Sequence, residues 1–140
     1  MFRFEDCLAH LASSNSKELA EIFEKRMSVI GVTRVQWMAL YYLHNQPGIT
    51  QKELASLLGT KEPTVVRLLD RMEKDDLVRR IRKDRRTNAV ELSDKGLRLY
   101  EEGLVIAEEF KNDAVREIPE DYMDHFKWVL DRMVENTRRK

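Results

Sequence analysis

The segment that decides the fold runs from Pro63 to Gly96 and reads PTVVRLLDRMEKDDLVRRIRKDRRTNAVELSDKG. Its first part has apolar residues at helical spacing, at Val65, Leu68, Leu69 and Met72. The proline falls in the first turn of this helix, where the N–H that it lacks would have no partner. Val78–Arg82 and Ala89–Leu92 then each fit a short strand, with KDRRTN as the hairpin tip between them. Ser93 opens another helix, because a serine hydroxyl accepts from the free N–H groups of a first turn.

A shorter helix is predicted before this segment. Thr50 and Glu53 form the T-x-x-E pair typical of a helix start, and QKELASLLG follows. Its three leucines are predicted to face inward: Leu54, Leu57 and Leu58. Gly59 closes this helix, and Thr60 is placed to cap the next one. Two short helices joined by a glycine turn predict a helix-turn-helix, and a hairpin directly after the second helix predicts a wing.

Longer helices are predicted on either side of this unit. Phe4–Ile30 has apolar residues at helical spacing and ends at Gly31. A T-x-x-Q pair, Thr33 and Gln36, then opens a helix that is apolar around most of its circumference. Beyond Ser93 the pattern predicts a long helix and, after IPED, a last one. The first and last helices are so apolar that we expect a partner subunit to cover them.

The expected fold class is mainly α with a small β-hairpin wing. We expect one domain over residues 1–140. Within it, residues about 33–98 would form a winged helix-turn-helix lobe, and the helices within about 1–31 and about 99–140 would form a dimerisation region.

Charge is unevenly distributed along a chain that is neutral overall. The 140 residues carry 25 basic and 25 acidic side chains, yet residues 50–98 hold 13 basic and 9 acidic ones when counted from the sequence. A local basic surface on a neutral protein is typical of nucleic-acid readers, although a solvated charged face gives the same pattern. The sequence has no apolar run long enough to cross a membrane and no signal-peptide layout at its start, so we expect a cytoplasmic protein without a membrane partner.

The stretches PTVVRLLDRMEKDDLVRR, DRR and VELSDKG resemble, in this order, the core of the MarR family of bacterial winged-helix transcription regulators. The order of the predicted elements is similar to that family from Phe4 to the C-terminus. The resemblance implies a homodimer whose first and last helices intertwine, a recognition helix that enters the major groove and a wing that places an arginine in the minor groove. The chain departs from the family pattern at Asp76, which stands where a glycine usually precedes LV, and in a shorter lead from LV to DRR. Aspartate tolerates a left-handed backbone better than most residues.

The resemblance also assigns roles to individual residues. By position, Arg86 is the wing arginine and Asp84 braces the wing through an ion pair, while Thr64 and Arg67 lie where the recognition helix contacts DNA. A guanidinium suits the concentrated negative potential of a narrow A·T-rich minor groove. Since an exposed ion pair typically stabilises by under about 1 kcal/mol, Asp84 is expected to orient an arginine rather than to stabilise the fold.

Three further residues are candidates for DNA contact. Arg85 adjoins the wing arginine, and Lys61 lies on the face of the recognition helix opposite the leucines. Gln51 stands at the start of the preceding helix, where a side chain and N-terminal amides contact a phosphate backbone. For the two wing arginines, the alternative is a solvated side chain without a contact.

Two other features bear on regulation. Trp37 and Tyr41 stand four residues apart on the most apolar helix. Members of the family often bind small aromatic or amphipathic effectors near this helix, so the resemblance makes both residues candidates for an effector pocket, with core packing as the alternative. Cys7, the single cysteine, is a candidate redox sensor as in some relatives. Together with His10 it offers two metal ligands, which do not make a metal site.

These features predict a sequence-specific transcription regulator that binds a pseudo-palindromic site in double-stranded DNA as a homodimer. We expect a repressor that a small-molecule effector releases, with no cofactor and no metal. Two alternatives stay open: a winged-helix protein-interaction module that does not bind DNA, and a redox-sensing regulator that uses Cys7. An enzyme is not expected, because the sequence shows no nucleophile with an adjacent base, no glycine-rich phosphate loop and no metal-ligand cluster.

Overall fold

The helices and strands follow one another in the predicted order. The structure is a computed structural model that describes residues 1–82 and 88–139, without the side chain of Asn88. Its helices are α1 (Leu8–Met27), α2 (Arg34–Asn45), α3 (Gln51–Leu58), α4 (Glu62–Lys74), α5 (Asp94–Val115) and α6 (Glu120–Arg138), and its strands are β1 (Val78–Arg82) and β2 (Asn88–Leu92). Short 3-10 turns flank α1 at Phe4–Asp6 and Ser28–Ile30. The mainly helical fold with a small hairpin is confirmed.

Capping signals in the sequence explain where the helices begin and end. The Thr33 hydroxyl accepts from the Gln36 N–H at 3.0 Å, and the Gln36 side chain accepts from the Thr33 N–H at 3.0 Å, so the predicted capping box is complete. At α3 the box is half formed. Thr50 accepts from the Glu53 N–H at 3.2 Å, but the Glu53 carboxylate accepts from the Thr50 hydroxyl instead of its N–H. Gly59 ends α3 with a left-handed φ of 66°, as predicted.

Two local predictions are wrong. Thr60 does not cap α4, because Lys61 precedes that helix and makes no side-chain capping bond. The Thr60 N–H instead donates to the Ala55 carbonyl at 3.0 Å as part of the turn that ends α3. Leu57 does not face inward and is 38% exposed, since the buried face of α3 is centred between Leu54 and Ala55.

The hydrophobic core joins α2, α3, α4, the hairpin and the first half of α5. Its largest fully buried side chains come from these elements except α5, together with Met27 at the end of α1, and include Leu40, Leu54, Leu69, Met72, Val78 and Val90. Helix α5 contributes Tyr100 and the buried Gly103. A Cβ at Gly103 would lie 2.0 Å from Trp37 Nε1, so close packing of α5 on α2 requires glycine here. The core therefore fixes the hairpin and both short helices on one support.

The outer helices are much less buried. Met27 is the one buried residue of α1, and α6, which lies within the described residues, has no buried residue. The groove between these helices has a volume of about 650 Å³. Its apolar lining comes from both helices: Leu8, Leu11, Leu19, Phe126, Val129, Leu130 and Met133. An exposed apolar groove of this kind is typical of an interaction surface.

Candidate nucleic-acid interface

Helix α4 presents a polar and basic face to solvent. Pro63 lies in its first turn, as predicted. On the opposite side, Val65, Leu69 and Met72 are fully buried. The three residues predicted to contact DNA from this element are all exposed: Lys61, Thr64 and Arg67. The predicted amphipathic helix is confirmed, while the DNA contacts of these residues stay predictions.

The turn after α4 has a left-handed backbone at Asp76, where φ is 60°. The Leu77 N–H donates to the Met72 carbonyl at 2.8 Å and so closes the end of α4. Ser93, which follows the hairpin, forms hydrogen bonds with the same turn. Its N–H donates to the Leu77 carbonyl at 3.0 Å and its hydroxyl donates to the Asp76 carbonyl at 2.5 Å. The hairpin therefore leaves the lobe and rejoins it at one place, next to the start of α5.

The hairpin carries basic residues away from this anchor point. Strands β1 and β2 are antiparallel, with Arg80 opposite Val90. The Val90 N–H also donates to the Ile49 carbonyl at 3.4 Å, which holds β2 beside the segment that leads into α3. The tip residues of the predicted wing lie outside the described residues: Asp84, Arg85 and Arg86.

Arg80 joins the hairpin to both helices of the helix-turn-helix. Its Nη1 donates to Asp70 Oδ1 at 2.6 Å and to Glu73 Oε1 at 3.2 Å. Its Nη2 donates to the Val66 carbonyl at 2.9 Å, and its Nε donates to Gln51 Oε1 at 2.9 Å. The Arg80 side chain is 19% exposed. It is therefore a largely buried cation whose charge is balanced by carboxylates of α4.

Sequence reasoning missed Arg80 and gave Gln51 a role in DNA contact alone. In the structure the side-chain oxygen of Gln51 accepts from Arg80, so Gln51 supports the hairpin from the start of α3. Its contact with a phosphate stays a prediction. A signal for Arg80 was present, because side chains alternate along a strand and Arg80 shares a face with the buried Val78. Arg79, between them, is exposed.

The two candidates for an effector pocket lie in different surroundings. Trp37 is 7% exposed, and its Nε1 donates to the Tyr100 carbonyl at 3.2 Å. Its ring stacks on that of Tyr100 with an interplanar angle of 5°. Tyr41 is 38% exposed. A cavity beside α2 is lined by other side chains, among them Phe23, Arg34, Met38 and Phe110. Trp37 thus has a packing role, and an effector role for Trp37 and Tyr41 stays a prediction.

The other chemical candidates are Cys7 and a cluster of metal ligands. Cys7 precedes α1 and is half-buried, and its redox role stays a prediction. Within residues 1–82 and 88–139, no group of three or more His, Cys, Asp or Glu side chains is arranged to hold a metal ion. None of the helices described is both long and apolar enough to cross a membrane.

Helices α3 and α4, the turn between them and the basic hairpin define a winged helix-turn-helix protein. The family model described as the MarR family matches residues 30–87, which extend from the end of the first helical segment into the wing. The HTH-type transcriptional regulator YwoH of Bacillus subtilis (strain 168) is 28% identical over 124 residues, which cover 88% of this chain and 90% of that relative. Residues 30–87 therefore match the MarR family of winged-helix regulators, as the resemblance in the sequence predicted.

Solved structures extend the similarity to the outer helices. The MepR–DNA complex of Staphylococcus aureus has a TM-score of 0.84 and 26% sequence identity, over 95% of this chain and 98% of that one. A probable transcriptional regulator from Pseudomonas aeruginosa has a TM-score of 0.82 and 25% identity, over 94% of this chain and 99% of that one. The similarity therefore includes α1 and α6 as well as the winged lobe.

Proposed function

We propose that this chain is a transcription regulator that binds specific sites in double-stranded DNA as a homodimer. The observation that carries the proposal is the exposed polar face of α4 beside a basic hairpin that is fixed to the same helix. MepR, to which the chain is similar over nearly its whole length, was solved in complex with DNA. This function is regulatory rather than catalytic, and its proposed compartment is the cytoplasm, where a bacterial regulator meets DNA.

In this proposal α4 reads the major groove. An α-helix fits that groove, and its exposed side chains then meet the base edges. Arg67 can bind a guanine or a phosphate with two parallel hydrogen bonds, and Thr64 can contact a thymine methyl group or a phosphate. Lys61, at the start of the helix, is positioned for a phosphate. Phosphate contacts set the register of the protein, whereas base contacts discriminate between sequences.

The wing is proposed to reach the neighbouring minor groove. Arg86 would insert its guanidinium there, Arg85 would contact the backbone, and Asp84 would hold an arginine in the inserting orientation. The support is the family resemblance together with the course of β1 and β2, which lead from α4 towards these residues and back.

A second copy of the chain is the proposed cover for the groove between α1 and α6. The absence of buried residues in α6 supports this, since an amphipathic helix of 19 residues needs a partner for its apolar face. A two-fold dimer presents two copies of α4 to DNA and predicts a pseudo-palindromic site. Sedimentation should give a dimer for the wild type. Phe126→Glu, which places a charge in the groove, should give a monomer, and a monomeric wild type would contradict the dimer.

Sequence-specific binding is tested with the region upstream of the coding sequence and a shuffled duplex of the same composition. The wild type should prefer the upstream region, and Arg67→Ala should weaken binding to it by about 1–3 kcal/mol. Arg86→Ala should also weaken it. Lys111→Ala, at an exposed basic residue of α5, is the matched control and should have little effect. Equal binding of both duplexes by the wild type would refute specific recognition.

Repression and release by a small aromatic or amphipathic effector complete the proposal. Occupation of a site beside α2 would alter the separation of the two winged lobes and so the affinity for DNA. The measurement is loss of the DNA complex on titration with aromatic acids, using Tyr41→Ala for comparison. The similarity to transcription regulators does not favour the two alternatives, an interaction module without DNA binding and a redox sensor based on Cys7.

A further inference from the structure

The contacts of Arg80 connect the hairpin to α3 and α4, the two helices of the helix-turn-helix. We propose that Arg80 is the positioning residue of the reading surface: it sets the hairpin relative to α3 and α4 and does not itself contact DNA. The inference rests on the proposed function, because its consequence is sequence discrimination.

All three guanidinium nitrogens of Arg80 have acceptors within the protein. Nε donates to Gln51 of α3, Nη1 donates to Asp70 and Glu73 of α4, and Nη2 donates to the Val66 carbonyl of α4. The guanidinium is planar and rigid, so bonds in several directions fix its position and orientation. An arginine that binds a phosphate or a guanine directs these donors at DNA, whereas here they are directed at two helices.

The main chain of β1 is held at the same residue. The Arg80 N–H donates to Glu73 Oε2 at 3.3 Å, while Glu73 Oε1 accepts from the Arg80 guanidinium at 3.2 Å. One carboxylate thus binds both the backbone and the side chain of Arg80. Since Arg80 lies in the middle of β1, movement of the strand relative to α4 would break both bonds.

The net charge of the cluster formed by Arg80, Asp70 and Glu73 allows a test of whether Arg80 positions the hairpin or attracts DNA. Asp70 and Glu73 contribute two negative charges and Arg80 contributes one positive charge, so the three side chains together carry −1. An uncharged version of the cluster would repel DNA less than the native one. If the cluster acted by charge, its neutralisation would strengthen binding to every duplex; if it positions the hairpin, neutralisation would lower discrimination.

Arg79 provides the matched control. It is the neighbouring arginine of β1, it is exposed, and it has the same formal charge. Arg79→Met should lower affinity for any duplex by a similar factor, because a lost surface charge weakens attraction to phosphates irrespective of sequence. The ratio of specific to nonspecific affinity should stay unchanged.

The test measures the dissociation constants of the full-length protein for a selected site and for a shuffled duplex at one salt concentration. Circular dichroism first establishes that each variant is folded at the working temperature. Arg80→Met should lower the ratio of the two affinities by roughly tenfold or more. The triple variant Arg80→Met with Asp70→Asn and Glu73→Gln should lower it similarly, although its charge is more favourable for DNA. Arg80→Lys keeps the charge but not the planar fork, so the ratio should remain reduced.

Different results would refute the positioning role of Arg80 and the proposed function in DNA recognition. An unchanged ratio in Arg80→Met, or equal losses on both duplexes as for Arg79→Met, would overturn the positioning role. Complete recovery in Arg80→Lys would show that charge alone suffices and would overturn it as well. A wild type without any preference between the duplexes would refute the proposed function, and the inference would fall with it.

Discussion

Gly103→Ala tests the packing of α5 on α2, the contact that supports the winged lobe. The added Cβ would lie 2.0 Å from Trp37 Nε1 and 2.2 Å from Trp37 Cδ1. The indole must therefore move. Its movement would break the bond from Trp37 Nε1 to the Tyr100 carbonyl, which is 3.2 Å long in a buried site.

The free energy of unfolding should fall by about 3 kcal/mol. Overpacking of a core typically costs about 1–3 kcal/mol. A buried donor left without its acceptor costs about 1–3 kcal/mol more. Against these, alanine is favoured over glycine inside a helix by about 1 kcal/mol. The steric and hydrogen-bond costs prevail, so the substitution destabilises the protein despite the better helix former.

Urea denaturation at a fixed protomer concentration measures this change, since the stability of a dimer depends on concentration. Trp37→Val provides the second background, because valine has no δ or ε atoms, which are the atoms of Trp37 that approach Gly103. There Gly103→Ala should cost under about 1 kcal/mol, which corresponds to a clear coupling between the two positions. A Gly103→Ala protein as stable as the wild type would refute this explanation, and so would an equal cost in both backgrounds.

Three further predictions concern the turn after α4, the start of α5 and the contact between α1 and α5. Asp76→Gly should raise the free energy of unfolding slightly, by under about 1 kcal/mol, because glycine adopts the left-handed backbone without strain; a lower free energy of unfolding would argue against strain. Ser93→Ala should cost about 1–2 kcal/mol in urea, since the Gly96 N–H loses its acceptor; no cost would exclude a capping role. The Asp113 carboxylate accepts hydrogen bonds from Arg26 and Arg116, and these bonds, that of Arg26 above all, hold its pKa below the usual range. The stability that ionised Asp113 contributes is fully present at pH values above the ordinary carboxyl pKa. It is lost as the pH falls through the lowered pKa of Asp113 in the folded protein. Asp113→Asn should therefore be less stable than the wild type near neutral pH and equal to it in strong acid, and a gap independent of pH would contradict this.

Features determined by neighbouring residues were predictable from the sequence. The capping box of Thr33 and Gln36, the left-handed Gly59 and the serine start of α5 each depend on positions within a few residues of one another. Asp76 belongs with them, because the demand for a left-handed turn follows from the junction between a helix and a strand. These signals were sufficient to place the helix-turn-helix and the hairpin.

Features determined by contacts between distant segments were not predictable in this way. The bond from Arg80 to Gln51 joins positions 29 residues apart, and only the assembled lobe brings them together. The exposure of Leu57 likewise depends on which side of a short helix meets the core, and its helical spacing fits either outcome. The close approach of Gly103 to Trp37 also depends on how α5 crosses α2. In each case the contacts or the exposure of a residue depend on how a second, distant element packs against it.

Hydroxyl-radical footprinting of the wild-type protein on its selected site is the most direct test of the central claim, that a dimer of winged lobes reads specific DNA. Two copies of α4 related by a two-fold axis predict two protected half-sites on one face of the duplex, with centres about 10–10.5 base pairs apart or a multiple of that. Protection without defined boundaries, or a single half-site, would contradict the account.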